Sequence, residues 1–215
     1  MSEIRQREFL DEWDSRVHMP PAQFKKEFLG GLKASMSISV DQFGVWGIRG
    51  GILDEANNKL GEYDRRIDFT NNRAESEWFK LREYDDNGDK IQGHGLGKKM
   101  LAGNVDMYQR IGLDAVDVHA NIDVGGYAWA KYGYVPKQND WDNLRSDLST
   151  DVRDEDSDIM NILADKDPKA IWALADSKWG KKLLAKDQIE WHGTLNFSDK
   201  ESMDRFHAYV GKVRH

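Results

Sequence analysis

Gln92-Gly93-His94-Gly95-Leu96-Gly97 is the stretch on which the reading of this chain turns. Upstream, the alternation of Glu77 to Tyr84 predicts a strand, with Phe79 and Leu81 on one face and Trp78, Lys80 and Arg82 on the other. Asp85-Asp86-Asn87-Gly88-Asp89 reads as a turn. Downstream, Leu101, Val105 and Tyr108 fall at helical spacing and predict a helix to about Ile111, with Gly112 as its stop. A glycine-rich bend at a helix N-terminus is an anion site, because the first N–H groups lack partners and the helix dipole places partial positive charge there. Glycines at 93, 95 and 97 let the main chain approach a phosphate with no side chain in the way. Lys98 and Lys99 add charge, and His94 either contacts the phosphate or faces water.

Spacing separates the nucleotide motifs that share these ingredients. The phosphate loop of ATPases, G-x-x-x-x-G-K-[ST], would need glycine at 92 and serine or threonine at 99, where glutamine and lysine stand. The dinucleotide fingerprint G-x-G-x-x-G, begun at Gly93, would need glycine at 98, which is lysine. The pattern that fits is Q/R-x-x-G-x-G/A, as Gln92-x-x-Gly95-x-Gly97. After it, Leu113 to Ala120 predicts a strand, with Val116, Val118 and Ala120 on one side and Asp117 and His119 on the other. Gly126-Tyr127-Ala128-Trp129-Ala130-Lys131-Tyr132-Gly133-Tyr134 predicts a short helix closed by a glycine and an aromatic residue.

That succession resembles the GCN5-related N-acetyltransferase (GNAT) superfamily, whose loop of this pattern holds the diphosphate of acetyl-CoA. The family's following strand leads into a helix similar to A-x-x-x-Y-x-x-x-G-F. The resemblance covers residues 44–136, with a family-like final strand at 189–197. It implies an α/β (α+β) fold: a mixed, mostly antiparallel sheet flanked by helices. It also implies acetyl-CoA as co-substrate, held by Gln92, Gly93, His94, Gly95, Leu96, Gly97 and Lys98, with pantetheine along the strands near 79–83 and 116–119. An amine would then attack the thioester. Three departures stand out. Trp129 occupies the place of the family tyrosine that often protonates the leaving thiolate, and an indole N–H is no general acid near neutral pH. Tyr132 or Tyr127 takes the role from a shifted register, solvent does, or there is no transfer. The loop before Gln92 is longer than typical, and a helical insert precedes the last strand.

Acetyl transfer to an amine also needs a proton acceptor. Glu83 stands at the family's usual place for a base, and His119 and Asp117 are second choices. The plainer reading of Glu83 is a solvated strand-end carboxylate, and of His119 a structural histidine among core valines. The histidines at 18, 94, 119, 192, 207 and 215 show no pair at zinc spacing. Glu83-x-Asp85-x-Asn87-Gly88 begins like a calcium loop, but its twelfth position is His94. No metal is expected.

The 215 residues, 39% apolar and 11% aromatic, suffice for a sizeable core. There is no cysteine, so disulfide scaffolds, thiolate metal sites and cysteine nucleophiles are excluded. No apolar run is long enough to span a bilayer, and the first residues lack a signal core, so no membrane partner and a cytoplasmic location are expected. The net charge of −7 argues against broad nucleic-acid binding. Ten acids and three bases lie between Asn139 and Asp167, an excess equal to the net charge of the whole chain.

The pattern divides into N-terminal helices (1–34), an acyl-CoA-binding core (35–137), an acidic helical insert (138–187), and a final strand and helix (188–215) that complete the core. Ser198-Asp199-Lys200-Glu201 reads as a capping box opening the last helix. Trp129, Trp172, Trp179 and Trp191 read as core residues. The acidic insert suits a cationic amine or a basic assembly partner. The Gly125–Tyr134 run also resembles GNAT-like segments of bacteriophage proteins, some of them virion-associated, so a non-catalytic structural or binding protein is the alternative.

Overall fold

The computed structural model describes residues 3–85, 88–120, 125–152, 157–185 and 189–211. The chain divides into two units: Met1–Ala74 with Trp78–Asp114, and Glu75–Glu77 with Ala115–His215.

The first unit opens with α1 (Glu3–Arg16) and α2 (Pro21–Phe28). Pro21 sits in the first turn of α2, where its missing N–H costs nothing. β1 (Ser37–Val40), β2 (Trp46–Leu53), β3 (Lys59–Asp68) and the two ends of β4 (Arg73–Leu81, of which Glu75–Glu77 fall to the second unit) follow, then α3 (Leu96–Arg110). β1 pairs antiparallel with β2, and β2 with β3. Aromatic rings bind the N-terminal helices to the sheet. Trp13 stacks on Trp46 at 5.6 Å and meets Phe24 edge-on at 5.1 Å. Phe28 meets Tyr108 of α3 edge-on at 5.7 Å. Trp13, Trp46, Phe24, Phe28 and Tyr108 are all buried, and such pairs contribute beyond their buried area.

α3 is held by two further contacts. A Cβ on Gly103 would meet the backbone of Glu27 and lie 2.6 Å from the amide nitrogen of Gly30, so α2 and α3 cross at backbone distance. Beneath the helix, Arg65 is buried on β3. Its Nε donates to Asn104 Oδ1 at 3.0 Å, and one terminal nitrogen donates to the carbonyls of Asp64 (2.8 Å) and Trp78 (2.7 Å).

The second unit contains β5 (Ala115–Ala120), α4 (Gly125–Lys131), β6 (Val135–Pro136), α5 (Gln138–Asp151), α6 (Ser157–Ala164), α7 (Ala170–Asp176), α8 (Gly180–Leu184), β7 (Trp191–Asn196) and α9 (Lys200–Val210). β7 pairs antiparallel with β5 on one side and β6 on the other. Val116, Val118 and Ala120 are buried, while Asp117 and His119 are half-buried on the opposite face. Between 139 and 167 the described residues are helical over 139–151 (α5) and 157–164 (α6). Their apolar positions Trp141, Leu144, Leu148, Ile159 and Leu163 are buried, and Trp141 Nε1 donates to the Asp165 carbonyl at 3.0 Å. Of the acidic run from Asp151 to Asp158, residues 153–156 lie outside the described residues.

The fold is therefore mixed α/β, with seven strands, antiparallel in each of these registers, and nine helices among the described residues. Local details differ from the sequence pattern. β1 has no counterpart in it. β4 starts at Arg73 and stops at Leu81 rather than running from Glu77 to Tyr84. The cap of α9 is Asp199, not Ser198: Asp199 Oδ1 accepts from the amides of Glu201 and Ser202. Ser198 instead bonds Asn196, closing the preceding turn. Of the four tryptophans expected in the core, Trp191 is fully buried and the other three are half-buried.

Candidate functional site

The glycine loop does not leave β4 directly. After Leu81 the chain forms a small hairpin: the Ile91 amide donates to the Glu83 carbonyl at 2.9 Å, and Tyr84 bridges Lys90. Asp85 Oδ1 accepts from the Asp89 amide at 2.8 Å. Asn87, a position of the calcium-like pattern, lies outside the described residues. Ile91 is buried beneath the hairpin and returns the chain to the end of β4. There the Gln92 side chain donates from Nε2 to the Leu81 carbonyl at 3.2 Å. Gln92 thus anchors the loop to the strand it follows.

Two of the loop glycines are needed for their backbone torsions. Gly93 has φ 93° and Gly95 φ 76°, the left-handed region that other residues seldom enter. Gly95 is the N-cap of α3 and supplies no side-chain cap. The first turn of α3 carries no acidic residue, and the amides of Leu96 and Gly97 have no acceptor among the described residues. A Cβ on Gly93 would meet nothing within 4 Å, so the space over the loop is open there. Gly97 differs: its missing Cβ would sit 3.1 Å from Cε1 of Phe79. The missing side chain of Gly97 thus serves the packing of α3 on β4, and its backbone amide remains on the loop side of the helix start. Gln92, Gly93 and His94 are exposed, Gly95 to Lys98 half-buried, and Lys99 exposed. A diphosphate fits this bend: free amides, the positive end of a fifteen-residue helix, lysines on the first turn and no carboxylate in the loop.

Glu83 stands at the base of the hairpin, its side chain exposed and without an ion pair or hydrogen bond among the described residues. It shares the first unit with the loop. His119 and Tyr132 belong to the second. His119 lies opposite His192 across β5 and β7; the rings stack at 4.3 Å and 7°. His119 Nε2 is 3.4 Å from Glu190, and His192 Nδ1 is 3.2 Å from Asp140. Asp117 accepts from the Thr194 hydroxyl at 2.5 Å. Tyr132 packs edge-on against Tyr209 at 4.9 Å, and burial pushes its phenol well above the usual tyrosine range. Trp129 lies edge-on to Tyr134 at 4.9 Å. No group of three or more histidine or acidic side chains able to hold a metal ion occurs among the described residues. No helix among them is long and apolar enough to cross a membrane.

The hairpin register and the Phe79 contact escape sequence reasoning. The Asp85–Asp89 turn residues are the signal for a hairpin there, and they do not fix its register. Nothing in the sequence marks Gly97 as a packing glycine.

No protein-family model matches the chain, and no curated protein does. Among solved structures, that of a nourseothricin acetyltransferase is similar at 10% sequence identity with a TM-score of 0.27, over 47% of this chain and 69% of that one. A likeness at that level assigns neither fold nor activity.

Proposed function

We propose that this protein is an N-acyltransferase that moves an acetyl group from acetyl-CoA to an amine. The observation that carries the reading is the α3 N-terminus: a left-handed glycine cap, amides at Leu96 and Gly97 without an acceptor among the described residues, and Gln92 tied to β4, in the Q-x-x-G-x-G spacing. Those amides and the helix dipole hold the diphosphate, and Lys98, Lys99 and His94 supply charge and donors at its edge. Acetyl-CoA brings an activated thioester; the amine nitrogen bonds to the acyl carbon as the carbon–sulfur bond breaks, and CoA leaves as the thiolate and takes its proton from solvent. Glu83 accepts the proton of the attacking amine, directly or through water.

A second reading, a GNAT-like binding or structural module without turnover, is favoured by the donor side of the chemistry. Trp129 stands where the family has its tyrosine, and the neighbouring Tyr132 phenol is held fully protonated and reluctant to give up its proton. Native mass spectrometry and calorimetry with acetyl-CoA test the ligand, and release of free thiol in the presence of an amine panel tests the reaction. Saturable heat that Gly95→Glu abolishes, with an unchanged far-ultraviolet spectrum, supports the cradle. Binding without thiol release selects a binding module, and absence of binding removes the acyltransferase reading and leaves the structural one.

A further inference from the structure

β1 ends the sheet of the first unit, and no strand pairs with its outer side among the described residues; Val40 there is exposed, Met36 and Ile38 half-buried and Ala34 buried. One register joins it to β2 from Lys33 to Val40. The Leu53 amide donates to the Lys33 carbonyl and the Ser35 amide to the Gly51 carbonyl, each at 2.9 Å; Ala34 bridges Ile52, and Ser37 to Val40 continue against Arg49 to Trp46. In an antiparallel ladder alternate residues turn their backbone groups inward. Here the odd-numbered residues face β2. The N–H and C=O groups of Ala34, Met36, Ile38 and Val40 therefore point away from the sheet, and none has a partner among the described residues. Proteins usually blunt such an edge with a short strand, proline, a bulge or charge. β6, by contrast, is two residues long and ends in Pro136. β1 is itself only four residues long, and before it the Gly51 amide bonds Ser35 Oγ in place of the Ser35 carbonyl, but between Lys33 and Asp41 the edge carries no charge and no proline and keeps one register with β2. Val40 (39% exposed) and Phe43 (76%) leave apolar surface at its end.

The segment is also complementary to itself. Reversed against a second copy about Ser37, Met36 falls opposite Ile38 and Ala34 opposite Val40, so the four outward-facing residues pair with one another in register. Ser35 meets Ser39, and Ser37 meets itself. Lys33 falls opposite Asp41, its opposite charge. Within one copy Lys33 bonds the Glu55 carbonyl at 2.6 Å and Asp41 lies 3.6 Å from Arg66, both at the surface. We propose that two copies of this chain associate through β1, edge to edge and antiparallel, on a two-fold axis through Ser37. Phe43 is then carried beyond the strand end towards the partner's Gly31, over which there is open space.

Sedimentation velocity on the full chain over a concentration series tests the association. Ser37 is exposed and lies opposite Arg49 on β2, so Ser37→Glu gains a cross-strand ion pair within one copy and sets two carboxylates against each other on the axis. The wild type is expected to sediment as a dimer. Ser37→Glu is expected to raise the dimer dissociation constant about tenfold or more, with an unchanged far-ultraviolet spectrum. The chain has no cysteine, so register is read by disulfides. Ser37→Cys closes one across the axis, where non-hydrogen-bonded partners bring Cα atoms within bridging range. Ser39→Cys alone forms none, and a mixture of Ser35→Cys and Ser39→Cys forms only the mixed dimer. A wild type that remains monomeric overturns the proposal and leaves the edge to an extended peptide of another protein. A dimer that Ser37→Glu leaves intact, or that Ser39→Cys crosslinks as fast as Ser37→Cys, overturns it as well.

Discussion

Arg205 of α9 grips Asp176 at the end of α7 with two parallel hydrogen bonds, at 2.8 and 2.9 Å. The same guanidinium donates to the carbonyls of Ala130 (3.2 Å) and Trp172 (3.4 Å) and lies over the Trp172 ring at 5.6 Å. One side chain from the last helix thus fastens both α4 and α7. Forked arginine–carboxylate pairs are the stronger kind of ion pair, and the lysine ammonium has no equivalent geometry. Asp176 is about half exposed, so solvent screening takes back part of the gain. Arg205→Ala is expected to cost about 1–3 kcal/mol in urea unfolding. Arg205→Lys recovers less than half of it.

The acid limb of stability follows from the same carboxylate. Burial alone would raise the Asp176 pKa, but hydrogen bonds from Arg205 and Lys131 outweigh burial and hold it below the ordinary aspartate value. Asp199 behaves alike, with Lys169 and Ser202 as its donors. A carboxyl whose folded pKa is depressed stabilises above its unfolded pKa, about 3.9 for aspartate, and loses that contribution as pH falls through the folded value. The urea midpoint is expected to fall as pH drops below about 4. In Asp176→Asn that fall should be shallower, and the midpoint at neutral pH lower.

Arg65 and Asn104 make a sharper test, because both are buried. Asn104 accepts from Arg65 Nε at 3.0 Å and donates to the Phe28 carbonyl at 2.6 Å, so it links β3, α2 and α3. Leucine at 104 keeps the branching and heavy-atom count and removes both bonds, leaving the buried Arg65 Nε without that acceptor and a buried carbonyl without its donor. Asn104→Leu is expected to destabilise by about 2–4 kcal/mol. A loss below that range in chemical denaturation would mean that water replaces the amide.

The cap of α9 shows why the sequence was legible to the element but not to the residue. Ser198 and Asp199 are both good N-cap types, and Glu201 stands three residues after Ser198, so the capping-box spacing favours the serine. The choice falls to Asp199, where Lys169, at the N-cap of α7, bonds both Asp199 (2.9 Å) and Glu201 (2.7 Å). A contact thirty residues away in the chain bears on a local question. β1 was missed for a related reason: its serines weaken the hydrophobic alternation, and only the pairing with β2 makes it a strand. The strand-to-helix bend, by contrast, lies in local glycine chemistry, and local spacing reached it. Asp199→Ala is expected to cost about 1–2 kcal/mol, and Ser198→Ala a few tenths, when the two are compared by thermal unfolding.

Gly97 and Phe79 separate packing from binding in the glycine loop. A methyl group on Gly97 would press the Phe79 ring edge at 3.1 Å, whereas one on Gly93 meets open space but must hold φ 93°. Gly93→Ala carries backbone strain that no neighbour can relieve, about 1–2 kcal/mol. The cost of Gly97→Ala depends on whether the ring moves, and its removal by Phe79→Leu in the double variant identifies the contact as its source, since coupled neighbours depart from additivity. Gly93→Ala should gain nothing from Phe79→Leu. If the second change rescues both glycine variants equally, the ring relaxes the whole bend and does not bear on Gly97 alone.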